Sequence, residues 1–386
     1  MGPLAGLRII EIAGIGPGPF AAMLLADMGA EVIRVERAQA VRPDAFPRGD
    51  LLARGRRSIA IDLKHRDGAA TLLDLVVAAD GLIEGFRPGV MERLGVGPDE
   101  CLARNPKLAY ARMTGWGQEG PLAHAAGHDI NYIALAGALA QFRRAGQAPV
   151  PPLNLVGDFG GGGMLCAFGL VCAILEAQRS GRGQVVDAAM VDGTALLMTM
   201  FWSLRGTSFY DDTAPGTNVL DTGAPYYDVY ECADGDYVSI GPIEPQFYAD
   251  LLARTGLGND PAFAAQNDKA GWPGLKRKVA ALFRTRARAE WCELLEGTDA
   301  CFAPVLTMAE AAAHPHNVAR ATFVDVAGRT QPAPAPRFSR TAPEVGAAPA
   351  NPGEHSKAIL ADWGVPAERV AGLVASGAVV QAGATG

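Results

Sequence analysis

The chain has little cysteine and no framework for it to build. Its six cysteines, Cys101, Cys166, Cys172, Cys232, Cys292 and Cys301, are scattered without a Cys-x-x-Cys pair, which excludes a disulfide scaffold and a zinc knuckle. Small buried core residues are what remains for them to be. Metal ligands are equally scarce: His314-Pro315-His316 has no third ligand nearby, so no metal site is expected. Although 49% of the 386 residues are hydrophobic and only 19% charged, no run approaches the roughly 18 uninterrupted apolar residues of a membrane span. The N-terminus, Met1-Gly2-Pro3-Leu4-Ala5-Gly6, lacks the basic segment of a secretory signal and has Gly6 where a myristoylation signal wants Ser or Thr. A cytoplasmic protein is expected. Positive charge is also in deficit, with a formal balance of −7 that disfavours a nucleic-acid role. Locally the deficit reverses: Arg54, Arg56, Arg57, Lys64 and Arg66 crowd around Asp62 alone. Such a patch could receive phosphates, or be a solvated loop face.

What is present is enough chain for two domains. Residues 7–12, 31–35, 58–61, 81–84 and 108–112 read as apolar strands, with helices over 19–28, 67–79 and 98–105 between them. This alternation predicts an α/β fold, a large Rossmann-like domain with a mostly parallel sheet over residues 1–200. Within it, a Gly-rich run at 160–163 leads into a long apolar helix that stops near Gly181. Residues 201–224, rich in Gly, Thr, Asp and Pro, read as a linker. A hairpin around Asp234-Gly235 opens a smaller α+β domain over 225–310. Residues 311–352, dense in Pro and Ala from Ala327 onward, read as an extended return linker. Helices in 353–386 complete the large domain, and no internal repeat is visible.

Gly14-Ile15-Gly16-Pro17-Gly18-Pro19 lies between a strand and a helix, with Glu36 ending the next strand, much as in a dinucleotide-binding fingerprint. Against a dehydrogenase, Pro19 replaces the third glycine and Pro17 removes a backbone N–H from the loop that would bind pyrophosphate. A tight strand-to-helix turn accounts for these residues as well. Two other polar groups stand at predicted helix starts. His128, in Gly127-His128-Asp129-Ile130-Asn131-Tyr132, sits where unpaired N–H groups favour a neutral, proton-accepting imidazole. Asp158 precedes four glycines that allow close approach to its backbone. Singly, each also reads as a structural cap; together they supply an imidazole and a carboxylate for proton transfer. Glu244, after the second-domain hairpin, is a third candidate and equally a helix-start acid.

The distributed motifs Gly16 to Asp27, Arg57-Ser58, Asp62-Leu63-Lys64, Phe86 to Glu92, Gly127 to Tyr132, Ile243 to Tyr248 and Gly297 to Cys301 together resemble the family III CoA transferases, and within that superfamily their racemase branch. The resemblance implies the family III CoA-transferase fold and an interlocked homodimer with active sites between a large and a small domain. It implies that Arg37, Arg54, Ile61, Asp62, Leu63, Lys64 and Arg87 hold the phosphates and adenine of coenzyme A. Gly127, Asp129, Ile130, Asn131 and Tyr132 would line the thioester and pantetheine end. No cofactor is implied, coenzyme A being part of the substrate, and no nucleic-acid or membrane partner. Transferases of the family use the counterpart of Asp158 as a nucleophile and usually lack a histidine at position 128. With His128 present and Glu244 in a matching motif, the resemblance implies interconversion of (2R)- and (2S)-2-methylacyl-CoA thioesters, with catalytic His128, Asp158 and Glu244. Acyl-CoA:carboxylate CoA transfer through Asp158 is the alternative. The chain end from Ala375 is low in complexity and carries no peroxisomal Ser-Lys-Leu signal.

Overall fold

Short apolar strands spaced by helices give the first unit its sheet. The computed structural model, which describes residues 2–42 and 49–383, forms β1 (Arg8–Ile12), β2 (Glu31–Arg37), β3 (Arg57–Ile61), β4 (Gly81–Glu84), β5 (Ala109–Thr114) and β6 (Gln184–Ala189). They pair in parallel in the order β3-β2-β1-β4-β5-β6, and Val379–Val380 adds a seventh, antiparallel strand at the β3 edge. A parallel sheet is covered on both faces, which is why these strands are nearly continuous apolar runs. One face packs Ile10, Ile33, Ile59 and Tyr110 against Leu72, Leu75 and the C-terminal residues Ile359 and Leu360. The other packs Ile9, Val32, Ile83 and Ala109 against Ala21, Leu25, Cys166 and Leu170.

The helices of this unit include α1 (Pro17–Asp27), α2 (Arg66–Val76), α3 (Val90–Arg93), α4 (Pro98–Arg104), α5 (Asp129–Leu135), α6 (Leu165–Ser180) and α7 (Met190–Leu197), with Ser356–Asp362 and Ala367–Ala375 near the C-terminus. Pro17 opens α1, where a missing N–H costs nothing, and Gly16 before it has φ 74°, a conformation that favours glycine. Between α5 and α6 runs a π-type coil, Leu155–Met164. Coil and α6 make one helical stretch, Leu155–Ser180, of 26 residues, with an 18-residue window of mean hydropathy 1.7, long and apolar enough to cross a membrane by length and composition. The sequence reading missed it because Asp158 and the glycines interrupt the apolar run. Cys166, Ala167, Leu170, Ala173, Ile174 and Ala177 bury its inner face on the sheet. The glycines serve close packing: a Cβ on Gly193 of α7 would stand 1.8 Å from the Gly161 carbonyl oxygen.

The chain groups into two units. The first comprises Met1–Ala136, Leu153–Leu197 and Ala321–Gly386; the second comprises Gly137–Pro152 and Met198–Arg320. Residues 201–224, read as a linker, fall in the second unit as a folded loop. Asn218, fully buried, donates to Asp221 at 2.8 Å and to the Asp211 carbonyl at 3.1 Å while Asp221 accepts its N–H. Short polar residues can satisfy each other, so polarity alone did not make a linker. Residues 137–152 join the same unit, where Arg144 grips Asp228 through two hydrogen bonds of 2.8 and 2.7 Å. Its sheet is antiparallel, β7 (Asp228–Glu231), β8 (Tyr237–Ile240) and β9 (Phe302–Pro304), on a core of Tyr226, Tyr230, Phe263, Trp272, Phe283 and Trp291.

The stretch 311–352 is not wholly extended either. Phe323–Val326 pairs antiparallel with Arg329–Pro332 across Ala327 and Gly328, whose φ values are 53° and 76°. Two consecutive positive φ angles make the tight hairpin turn, and alanine in that position hid it from the sequence reading. His314 pairs within the second unit, its Nε2 lying 2.7 Å from Glu296 Oε1.

Candidate active site

In a parallel sheet whose strand order reverses, ligands bind beyond the carboxyl ends of the strands at the reversal. Here the reversal lies between β1 and β4, and the segments that leave them, 13–19 with the first turn of α1 and the loop 85–88, wall a cleft of about 730 Å³ within the first unit. His128 and Asp158 both line it.

His128 is the extended residue immediately before α5, and the Asn131 side chain accepts its backbone N–H at 3.0 Å. That leaves the exposed imidazole at the helix mouth, as the sequence predicted. Gly127 is required where it stands, because a Cβ would approach the Tyr132 ring to 2.7 Å and Trp116 to 3.1 Å. Trp116 and Tyr132 meet edge to face with centroids 4.7 Å apart, a rigid apolar wall behind the histidine. Burial, followed by the negative charge of Asp158, raises the Tyr132 phenol above its ordinary pKa.

Asp158 lies in the first turn of the π-type coil. Its N–H donates to Asp129 Oδ2 at 2.7 Å, while the Asn154 amide donates to Asp158 Oδ2 at 3.0 Å. Asp129, buried at the start of α5, thus ties the element of one base to the element of the other. A Cβ on Gly157 would stand 2.5 Å from Asp129 Oδ2, so the tie needs glycine there. Across the cleft, a Cβ on Gly16 would come within 3.4 Å of Asp158 Oδ2. The loop that imitates a dinucleotide fingerprint therefore walls in a carboxylate. Partial burial raises the Asp158 pKa above 3.8, with Asp129 adding to the rise and the Asn154 hydrogen bond and His128 opposing it. A carboxylate with a raised pKa is a stronger base once ionised.

The residues expected to hold phosphates divide. Arg37 and Arg87 are exposed and line the cleft. Arg54 does not: it is 3% exposed, its guanidinium donates to both oxygens of Asp27 at 3.2 and 2.5 Å, and Nη1 holds Gln331 and the Pro332 carbonyl. A phosphate would have to displace a buried ion pair. Arg56 is likewise buried on Glu11 at 2.7 Å, and Arg57 pairs with Glu31 and Asp362. Two of the patch's five cations are thus internal, Arg57 is half-buried, and Lys64 and Arg66 are exposed. Ile61 is buried in β3, and Asp62, Leu63 and Lys64 turn away from that strand with Asp62 accepting the Lys64 N–H, outside the cleft lining. Gly127, His128 and Tyr132 line the cleft, whereas Asp129, Ile130 and Asn131 do not, Asn131 accepting the His128 N–H and Asp129 the Asp158 N–H. Glu244, exposed, precedes the helix Pro245–Thr255 in the second unit.

Sequence reasoning missed the ion pairs at the cleft floor, Arg34 with Glu11 and Glu36, Arg56 with Glu11, and Arg112 with Glu84 and Glu92, of which Arg34, Glu36 and Glu84 belong to the lining. The available signal was charge at the ends of otherwise apolar strands.

A family model described as CoA-transferase family III matches residues 4–356. The alpha-methylacyl-CoA racemase of Mus musculus is 47% identical over 95% of this chain and 95% of its own length. The acetyl-CoA:oxalate CoA-transferase of Acetobacter aceti is 31% identical over 86% of this chain and 88% of its own. A crystal structure of a CAIB/BAIF family protein from Brucella suis superposes with a TM-score of 0.80 at 25% identity, covering 94% of this chain and 99% of that one.

Proposed function

This chain belongs to CoA-transferase family III, and on that premise we propose that it is a racemase of 2-methylacyl-CoA thioesters, an isomerase that moves one proton and no other group. The observation that carries the reading is the sharing of one cleft by His128 and Asp158, an imidazole and a carboxylate with a raised pKa. The higher identity to a racemase than to a CoA transferase supports it.

The thioester carbonyl acidifies the α-hydrogen. One base takes that proton from one face, leaving a planar enolate, and the conjugate acid of the other returns a proton to the opposite face. His128 serves one face and Asp158 the other. Backbone N–H groups at the start of α5 stabilise the enolate oxygen, and Arg37 and Arg87 hold the phosphates of coenzyme A, which enters as part of the substrate. The proposal includes a homodimer in the cytoplasm acting on branched acyl chains of lipid metabolism. In it, Glu244 of the partner subunit orients His128.

A single epimer of a 2-methylacyl-CoA incubated in deuterium oxide tests this. The expected outcome is α-deuterium incorporation with loss of optical purity and no acceptor acid. Acceptor-dependent CoA transfer without exchange, accompanied by hydroxylamine trapping at Asp158, would instead establish the transferase reading.

A further inference from the structure

Beneath loop 85–88, in the lining of the cleft, lies a carboxylate that is buried and holds the loop in place. Glu84 ends β4 and its side chain is fully buried. Its Oε2 accepts the Phe86 N–H at 2.7 Å, and its Oε1 accepts Arg112 Nε at 3.1 Å from the paired position on β5. Arg112 Nη1 in turn donates to Glu92 on α3 at 2.8 Å. One carboxylate therefore joins the ends of two strands, the loop that carries Arg87, and, through Arg112, the helix that follows it. If stability alone were at stake, an apolar residue of similar size would serve as well or better.

We propose that Glu84 is a positioning residue for the reaction: its ionised carboxylate fixes the 85–88 wall, and with it Arg87, in the geometry that binds the CoA moiety. This rests on reading the cleft as a CoA-thioester site. The groups facing Glu84 are Arg112 and Tyr110 from β5, Glu92 from α3 and Cys166 from α6. Burial pushes Glu84 up to about 7, against the Phe86 N–H and Arg112 and with the help of Glu92. Proton uptake places an O–H among the donors of Arg112 and Phe86, weakening the tie that holds the wall. Binding by the ionised form therefore strengthens as pH rises through about 7 and weakens as it falls.

The test is titration of coenzyme A itself into the full-length protein from pH 5.5 to 8.5, followed by calorimetry. Wild type is expected to bind about tenfold more weakly at the acid end, the ratio for one unit of pKa difference between free and bound forms. Glu84→Gln should bind about tenfold more weakly at pH 8 and keep only the shallow slope from the ligand's own phosphate, which titrates near 6. Glu84→Asp, which keeps a titratable carboxylate, should recover most of the affinity and the pH dependence. Glu92→Gln, on the surface and safe for folding, should move the midpoint to lower pH by removing a like charge. With substrate, Glu84→Gln should raise KM and leave kcat nearly intact. Equal slopes in wild type and Glu84→Gln, equal affinity of the two at pH 8, or an unmoved midpoint in Glu92→Gln would each overturn the proposal. Failure of the racemase reading would show separately, as absent deuterium exchange with this CoA titration unchanged.

Discussion

At the scale of single residues, environment sorts like from like. Five arginines and lysines crowd positions 54–66, yet Arg54 and Arg56 are interior ions, while the exposed arginines of the cleft are Arg37, at the end of β2, and Arg87, in the loop after β4. Arg54→Met strands Asp27 and should cost about 3–5 kcal/mol in urea unfolding, with the CoA dissociation constant of the folded protein changed less than twofold. Arg87→Met should do the reverse, weakening CoA binding at least tenfold without moving the urea midpoint. The carboxylates divide too. Because burial raises Asp158, exchange from the epimer it serves should fall as pH drops through a value above 3.8, and Asp158→Asn should abolish that limb of the rate profile. Glu84 has a stability signature of opposite sense to its binding role. A folded pKa above the ordinary 4.5 means that its neutral form stabilises the fold at low pH, and that this contribution is lost as pH rises through about 7. The urea midpoint of Glu84→Gln should accordingly gain on wild type between pH 5 and 8; a constant gap would contradict the raised pKa.

At the scale of elements, two glycines show how the site is held. Gly193 on α7 abuts the Gly161 carbonyl, and this contact seats the coil that carries Asp158. Gly193→Ala must push the two apart, at the upper end of overpacking costs, about 3 kcal/mol, and should cut exchange at the Asp158 face. Gly181, which ends α6 with φ 77° and open space around its Cβ position, should cost only about 1 kcal/mol when changed to Ala. Urea midpoints and epimer-resolved exchange separate the two effects. Most helices and strands were legible from periodicity because a two-sided parallel sheet needs apolar runs. The hairpin at 323–332 was not, since it turns on Ala327 at positive φ and is anchored at Gln331 and Pro332 by Arg54, 277 and 278 residues away in sequence.

At the scale of the molecule, the first unit leaves Met164, at the end of the coil, and Phe168 and Leu175 of α6 exposed, an apolar strip on a helix whose other face is sealed against the sheet. The proposed homodimer would cover such a strip. Light scattering should give twice the chain mass, and Phe168→Asp should halve it; a wild-type monomer at micromolar concentration would remove the dimer from the proposal.

The sequence by itself determined the parallel sheet, the family, and the positions of His128 and Asp158 at helix starts, because periodicity, capping and motif spacing are local and survive in one dimension. Only the tertiary structure decided that Arg54 is a buried clamp rather than a phosphate ligand, that the glycine loop at 14–18 faces Asp158, and that Glu84 lies under Arg87's loop. Those outcomes depend on which distant residue neutralises a charge and how much water is left around it, and burial and long-range pairing are properties of the packed chain alone.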